Sequence, residues 1–319
     1  MKNTIEKALQ KKREAELKSS QQQTKADTAS DAVYLEENNL SQEPAVVIEK
    51  GMQNKNFEVE QTANVVHAKG HKANKFNIDL QALEGKGFVG LESGRNLINE
   101  EFREIKRKLL QNAFGPLAST ISNSNIIMVS SARPSEGKTF TAVNLAISIA
   151  AEQDKTVLLV DADVLKPNVL NTLGLKQSNG LMEYLLGKVN DLSDVIHHTN
   201  IPKLRIVPAG QTHHLSTELL ASTVMRDTIE EFSTRYPDRV VIIDTPPLIG
   251  INESVILANL AGQAVIVVEE GQTKLNDIQS SVERLNPNMA IGFVVNKSIQ
   301  FSEKGGYYGY QYYGSENKD

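Results

Sequence analysis

Residues 126–150 read IIMVSSARPSEGKTFTAVNLAISIA, and this stretch decides the fold class. A run of apolar residues leads into a polar loop, and the apolar spacing of a helix follows the loop. Gly137-Lys138-Thr139 stands where the loop meets the helix, which is the strand–loop–helix context that a phosphate-binding loop requires. Main-chain N–H groups and the helix dipole favour a phosphate at that point. The stretch therefore predicts that Ala132–Thr139 binds the phosphates of a nucleoside triphosphate.

The residues of this loop have separate expected tasks. Gly137 lets the main chain approach the phosphates, Lys138 reaches the β- and γ-phosphates, and the Thr139 hydroxyl ligates Mg²⁺. Ala132 replaces the first glycine of the usual pattern. An Asn amide can read a purine edge, so Asn296 is a candidate for contact with the base, together with Pro208–Gly210. The residues predicted to bind ATP are Ser135, Glu136, Gly137, Lys138, Thr139, Phe140 and Asn296.

Short apolar strands alternate with helical stretches through the chain after residue 125. This alternation predicts an α/β fold, a P-loop NTPase whose mostly parallel sheet is covered by helices on both faces. The expected strands are Ile126–Ser130, Val157–Asp161, Leu204–Val207, Val240–Asp244, Ala264–Val268 and Ile291–Val295. The expected helices are 96–113, 138–152, 180–187, 216–235, 252–260 and 274–285.

Composition divides the 319 residues into three parts. We predict a polar, largely disordered extension over 1–94 with a helix near its N-terminus, a P-loop domain over 95–297, and a tyrosine-rich tail over 298–319. The net charge of −5 argues against nucleic-acid binding driven by bulk charge, and the lack of cysteine excludes thiolate metal sites. No apolar run approaches 18 residues, so we expect a cytoplasmic protein.

Three aspartates follow the ends of two expected strands. Asp161 and Asp163 follow the strand VLLV, and Asp244 follows VVII. In a parallel sheet the carboxyl ends of all strands lie on one edge, where ligands bind, so these side chains and Lys138 should converge. The cluster predicts a site for Mg²⁺ beside the phosphates. An Asp after a strand can also simply cap a turn, and Asp163 is the one for which a supporting role is expected.

Five of the eight tyrosines lie within seven positions near the C-terminus, in GGYYGYQYYG. Glycines and polar residues between them leave no amphipathic pattern, so a packed core does not explain the cluster. One interpretation is a low-complexity tail that stacks on a partner. The other is a set of phosphoacceptors on a flexible leash, modified by a neighbouring subunit. The expected phosphoacceptors are Tyr307, Tyr308, Tyr310, Tyr312 and Tyr313.

SSARPSEGKT, VLLVDADVLKP and VVIIDTPP, with the tyrosine tail, resemble the bacterial tyrosine autokinases of exopolysaccharide synthesis, in particular the exosortase-associated branch. The resemblance covers about residues 96–319 and implies an ATP-dependent protein-tyrosine kinase. It implies that Asp161 is the catalytic base, assisted by Lys138 and Asp163. It implies that Thr139, Asp161 and Asp244 hold Mg²⁺. The implied partners are a membrane-embedded chain-length determinant that recruits the kinase to the membrane, and a cognate tyrosine phosphatase.

Two positions depart from the family pattern. Leu165 stands where the family commonly has Arg after the second Asp, and Lys166 follows it. The family also carries an E-x-x-R-x-x-R element for ring assembly, which here reads Glu100, Arg103 and Lys106. Lys lacks the planar fork of Arg, so this contact should be weaker. A solvated charged helix face is the alternative for these three residues. Arg103 is also a candidate to stabilise the transition state of a neighbour.

Two other functions fit parts of the sequence. A switch ATPase of the plasmid-partition and division-site type shares the fold, but it usually has a second lysine early in the loop, and this loop has none before Gly137. It also gives no reason for five tail tyrosines. A non-catalytic scaffold that binds nucleotide in a polysaccharide export complex is the third interpretation. The pairs at 197–198 and 213–214 are the histidine doublets, and we expect them in solvated loops without a metal.

Overall fold

The computed structural model describes residues 75–91, 96–116 and 118–298. Its strands are β1 (Lys75–Phe76), β2 (Ile126–Ser131), β3 (Thr156–Asp161), β4 (His197–Thr199), β5 (Leu204–Val207), β6 (Arg239–Asp244), β7 (Gln263–Glu269) and β8 (Ala290–Asn296). Its helices are α1 (Leu80–Glu84), α2 (Leu97–Phe114), α3 (Lys138–Ala150), α4 (Val169–Thr172), α5 (Leu181–Leu185), α6 (Ser216–Leu220), α7 (Thr223–Thr234), α8 (Asn252–Ala258) and α9 (Leu275–Val282). Two 3₁₀ turns cover Ala118–Thr120 and Leu192–Val195.

The strands form one sheet in the order β1-β4-β5-β3-β6-β2-β7-β8. Neighbours from β5 to β8 in this order run parallel, whereas β4 is antiparallel to β5 and carries β1 parallel to itself. Parallel neighbours need crossovers, and helices supply them. The predicted α/β class with a mostly parallel sheet is therefore confirmed.

Two apolar layers cover the sheet, one on each face. In β2, Ile126 and Met128 belong to one buried cluster, while Ile127 and Val129 belong to the other. The alternation follows from the two-residue period of a strand. Because both faces are covered, β2 and β6 are buried at every position, which explains why the sequence shows them as continuous apolar runs. Helix α3 contributes apolar side chains to the cluster that contains Ile127.

Residues 75–91 belong to the folded domain, which corrects the predicted boundary at residue 94 for this segment. β1 pairs with β4, and Ile78, Leu83 and Phe88 are buried in the core cluster of α3. The Val89 N–H donates to Asn144 Oδ1 at 2.7 Å. Phe76, Ile78 and Leu80 alternate with polar residues, but this apolar run is too short to bury much surface by itself, so the segment depends on its tertiary partners for order. Residues 1–74 and 299–319 lie outside the described residues.

Two local predictions were also wrong. The helix expected over 216–235 is two helices, because the Ser222 hydroxyl accepts from the Met225 N–H and starts α7. His197 is buried in β4 and its ring stacks on Phe76 at 4.5 Å, whereas a solvated loop was expected. The helix expected over 96–113 forms as α2. In the described part of the chain, no helix combines the length and apolarity of a membrane span.

Candidate active site

The carboxyl ends of β2, β3 and β6 lie side by side and bring the loop and the aspartates together. Asp244 is the register partner of Val129 on one side and of Asp161 on the other. The loop leaves β2 one residue after Ser131, and α3 begins at Lys138. The edge therefore gathers the residues that the sequence assigns to phosphate and metal.

The phosphate loop has two residues in the left-handed region. Ser135 has φ 69° and Gly137 has φ 102°. A Cβ at Gly137 would lie 2.0 Å from Asn296 Nδ2, so both the backbone conformation and the available space require glycine there. Gly137 is the N-cap residue of α3. The main-chain N–H groups that follow it would donate hydrogen bonds to a bound phosphate. Ala132 is fully buried.

Side chains brace this loop from behind. Glu136 is buried and accepts from the Arg133 N–H at 2.8 Å and from the Thr273 hydroxyl. Asn296 Nδ2 donates to the Glu136 carbonyl at 2.9 Å, and Lys297 Nζ donates to the Ser135 carbonyl at 2.9 Å. The Glu136 carboxyl and the Asn296 amide, predicted to contact the nucleotide, are thus engaged with the loop itself.

Lys138 forms the central ion pair of the site. Its Nζ donates to Asp163 Oδ2 at 2.6 Å, with both side chains largely buried. Burial alone would lower the pKa of Lys138, but the carboxylates of Asp244 and Asp163 outweigh it and raise the pKa. Lys138 is therefore a fully charged ammonium next to the loop. Asp163, expected to be a supporting residue, is its direct partner.

Thr139 and Asp244 form the pair that fits a divalent cation. The Thr139 hydroxyl donates to Asp244 Oδ2 at 2.7 Å. Asp244 Oδ1 is buried and is the one buried side-chain polar atom of the described residues without a hydrogen-bond partner. Burial raises the pKa of Asp244 to about 6, since little besides Lys138 and Thr139 compensates its charge. An orphaned carboxylate oxygen beside a hydroxyl is a donor set that Mg²⁺ accepts.

Asp161 lies deeper than Asp163, at 1% exposure. Its oxygen atoms accept main-chain N–H groups of Asp163 at 3.2 Å, Asn168 at 3.1 Å and Val169 at 3.0 Å. Burial and the charge of Asp244 raise the pKa of Asp161 to about 8. Asp161 thus fixes the turn that carries Asp163. No group of three or more His, Cys, Asp or Glu in the described residues is arranged to hold a metal, so a cation here would also need hydroxyl and phosphate ligands.

A cavity of about 500 Å³ opens in front of the loop. Lys138, Thr139 and Asp163 form its polar wall, and Leu165 and Lys166 flank it. Leu165, which departs from the family pattern, and the lysine that follows it therefore both lie at the cavity in front of the phosphate loop. The remaining wall is Pro134, Ser135, Gly137, Pro167, Asn168, Pro247 and Ile251.

Other predicted contacts lie elsewhere. The Phe140 ring packs on Phe88 and Phe102, with centroids 4.7 and 6.4 Å away, so only its main chain faces the phosphate side. The Pro208 carbonyl accepts from the Leu181 N–H, which ties 208–210 to α5. Those residues do not line the cavity of the phosphate loop within the described chain.

The expected assembly element on α2 is divided by the fold. Arg103 and Glu100 pair with each other on the surface. Lys106 is only 6% exposed; its Nζ donates to the Ser148 carbonyl at 3.1 Å and pairs with Glu152. The charge of Lys106 is thus engaged inside the domain, and Glu100 and Arg103 are the exposed residues of the expected element. The five tail tyrosines lie outside the described residues.

Sequence reasoning missed the clamp between the loop and α9. Arg133 makes two bonds to Asp277, from Nε at 2.6 Å and from Nη2 at 2.9 Å. Their separation of 144 residues leaves no local signal. Lys297, adjacent to the predicted Asn296, was the only brace that proximity in sequence could have suggested.

Comparison with known proteins finds relatives that share one named activity. The family model described as AAA domain matches residues 124–291. Tyrosine-protein kinase YwqD of Bacillus subtilis is 30% identical over 227 residues, which are 70% of this chain and 92% of that protein. Tyrosine-protein kinase wzc of Salmonella typhimurium is 32% identical over 193 residues, 60% of this chain but 26% of that protein.

A solved structure agrees. The kinase domain of Escherichia coli tyrosine kinase ETK has a TM-score of 0.58 and 28% identity, and the match covers 74% of this chain and 86% of that one. The chain thus spans nearly all of the Bacillus relative and about a quarter of the Salmonella one. This chain belongs to the family of bacterial tyrosine-protein kinases.

Proposed function

We propose that this chain is an ATP-dependent protein-tyrosine kinase that phosphorylates the C-terminal tyrosines of a neighbouring copy. The observation that carries the proposal is the Lys138–Asp163 and Thr139–Asp244 arrangement on the wall of the phosphate-loop cavity. Phosphoryl transfer needs positioning and charge neutralisation more than covalent chemistry, and this site offers both.

ATP would bind with its β- and γ-phosphates against the main-chain N–H groups at the start of α3. The Lys138 ammonium would leave Asp163 and pair with the phosphates, since its position places its charge beside them. Thr139, Asp161 and Asp244 would hold Mg²⁺, which supplies positive charge to the phosphate oxygens. The Glu136 and Asn296 braces would keep the loop in the strained conformation that presents its N–H groups.

In the transfer, the tyrosyl oxygen forms a bond to the γ-phosphorus, and the bond from that phosphorus to the β,γ-bridging oxygen breaks, so ADP leaves. The tyrosyl proton passes to the carboxylates at the end of β3. The family resemblance favours Asp161 as the acceptor, while the position of Asp163 on the cavity wall favours Asp163. Substitution of each by Asn separates the two: the true acceptor loses turnover at saturating ATP and keeps ATP binding.

The position of the end of β8 is evidence for a tail that starts beside the phosphate loop. Asn296 and Lys297 touch the loop, and ten residues lead from Lys297 to Tyr307. Such a leash spans about 18 Å on average and about 35 Å when stretched. It would have to fold back sharply to enter its own cavity, so a neighbour's cavity is the easier target.

Full modification would add roughly −8 to −10 charge to each tail. We propose that repulsion among such tails loosens a self-associated ring and so regulates exopolysaccharide synthesis. A membrane-embedded chain-length determinant would activate the kinase and recruit it, and a cognate tyrosine phosphatase would reverse the modification. An unchanged assembly mass in light scattering after full phosphorylation would remove the loosening step.

The test uses two full-length variants mixed with Mg²⁺-ATP. One is Lys138→Met with an intact tail, and the other keeps Lys138 but has all five tail tyrosines changed to Phe. We expect phosphotyrosine on the tail of the Lys138→Met chain only when the second chain is present, as transfer in trans requires.

Two results would contradict the proposal. Tail phosphotyrosine that forms on purified Lys138→Met protein alone as fast as on the unaltered chain would show that this loop is not the site. ATP hydrolysis by the unaltered chain without any phosphotyrosine, even with the membrane activator present, would instead favour a switch ATPase.

A further inference from the structure

The opposite edge of the sheet carries an exposed tyrosine in a turn. Tyr236 lies between α7 and β6, at 37% exposure, and Pro237 follows it. Tyr184, the other tyrosine among the described residues, is partly buried and packs against the core. Tyr236 is therefore the one tyrosine of this part of the chain that another active site can reach.

Three arginines surround the Tyr236 ring. The Arg239 guanidinium lies over the ring at 4.0 Å from its centroid, and that of Arg235 lies at 5.8 Å. Arg205 of β5 lines a cavity of about 310 Å³ together with Tyr236 and Arg239. The charge of Arg235 first, and then those of Arg239 and Arg205, lower the pKa of the Tyr236 hydroxyl.

The positive charge of this cluster is poorly compensated. Arg239 is 4% exposed, and neither it nor Arg205 forms an ion pair with any described residue. Burial and the charge of Arg205 lower the pKa of Arg239. Arg235 is paired with Glu231. Asp238 is the one carboxylate that lines the same cavity, and its charge offsets only part of the effect of burial and of Arg205 on Arg239. Two adjacent guanidinium groups with one nearby carboxylate leave net positive charge for an anion with several oxygen atoms, because such groups bind phosphate through paired N–H bonds.

We propose that Tyr236 is a further phosphoacceptor of this chain and that Arg205, Arg235 and Arg239 receive its phosphate. The inference rests on the proposed kinase function. The Tyr236 oxygen forms the bond to the γ-phosphorus of ATP, ADP leaves, and the phenolic proton passes to the aspartates of the acting copy. The product carries about −1.5 to −2 charge among three guanidinium groups, which adds to the counter-charge of Glu231 and Asp238.

Modification of Tyr236 has to occur in trans. Strand β6 runs from Arg239 to Asp244, so Tyr236 precedes one end while the metal site lies at the other. Six strand residues span about 20 Å, and the sheet itself separates the turn from its own phosphate loop. A second copy must therefore present its cavity to this turn.

The experiment starts from the full-length chain in which Tyr307, Tyr308, Tyr310, Tyr312 and Tyr313 are all Phe. After incubation with Mg²⁺-ATP, a glutamate-specific protease releases residues 232–253, in which Tyr236 is the only tyrosine. We expect phosphate on this peptide, its loss in Tyr236→Phe, and none on the peptide that begins at Tyr184. A Lys138→Met chain should be modified at Tyr236 only when mixed with an active copy.

A second readout tests the arginine cluster. Phosphorylation at Tyr236 should raise the thermal midpoint by about 2–6 °C, and Arg205→Gln should shrink that gain. A modified Tyr236 with a lowered midpoint would overturn the role of the arginines. An unmodified 232–253 peptide in a chain whose tail is phosphorylated would overturn this inference alone, whereas no phosphotyrosine anywhere would overturn the kinase proposal with it.

Discussion

The two edges of one sheet collect opposite charges. At the carboxyl edge, Asp161 and Asp244 are buried, and burial raises the pKa of both. At the amino edge, Arg239 is buried beside Arg205, and burial lowers its pKa. In both places desolvation opposes the charged form. The comparison teaches that burial works against the charge of the aspartates at one edge and of the arginine at the other. Under the two proposals above, Mg²⁺ would relieve this cost at the carboxyl edge and a phosphate group would relieve it at the amino edge.

Matched substitution of one lysine at each edge should give the largest difference. We expect Lys138→Met to lower autophosphorylation about 100- to 1000-fold, because it removes the charge that meets the transferred phosphoryl group. Lys203→Met, at the amino edge, loses only bonds to two main-chain carbonyls and should keep its rate. Initial rates of phosphotyrosine formation measure both. Equal losses in the two variants would break the functional distinction between the edges.

Alanine at Gly137 tests whether the carboxyl edge depends on the strained loop. Gly137→Ala places a Cβ at φ 102° and 2.0 Å from Asn296 Nδ2, so we expect a loss of about 1–3 kcal/mol in stability and at least a tenfold loss in ATP affinity. Gly174→Ala is the control, since its φ is 69° but its Cβ meets nothing within 4 Å. Chemical denaturation and nucleotide titration report the two quantities. If Gly174→Ala cost as much stability, the contact with Asn296 would be irrelevant.

The buried carboxyls give the metal-free protein a pH dependence. The pKa of Asp161 is about 8 in the folded chain and about 3.9 in an unfolded one. The folded state therefore binds the extra proton between these values, and the free energy of unfolding falls as pH rises through them. These values correspond to a loss of about 2 kcal/mol between pH 6 and pH 8, so we expect the thermal midpoint to drop by about 5–9 °C because of this group. Asp161→Asn should flatten the profile, and an unchanged slope in that variant would contradict the assignment.

The smallest expected effect is at Arg239. Arg239→Met removes a buried charge that has no ion pair, which favours the folded state, but it also removes the stacking on Tyr236. We expect the thermal midpoint to rise by about 1–3 °C as the net result. Arg235→Met, in the same cluster but exposed, should change it by less. Differential scanning calorimetry distinguishes these shifts. A fall of several degrees in Arg239→Met would show that the arginine stabilises the domain by itself.

Much of the site was predictable from local sequence, and the contacts that could not be predicted share one cause. Gly137, Lys138 and Thr139 were assigned from a contiguous motif, and the structure brings them to Asp163 and Asp244. The inward turn of Lys106 and the engagement of Asn296 with the loop depend on partners 42 and 160 residues away. Helix spacing gives the position of a side chain on its own element, but it does not identify the residue that the chain brings opposite.

The sequence by itself determined the α/β class, the parallel strands and the phosphate loop, because periodicity and a strand–loop–helix motif are local properties of the chain. The tertiary structure alone decided that residues 75–91 join the core, that Asp163 rather than Asp161 borders the cavity, and that Tyr236 meets three arginines. These outcomes depend on which desolvated groups come together when distant segments pack. Burial and charge pairing exist only after that packing, so no local pattern records them.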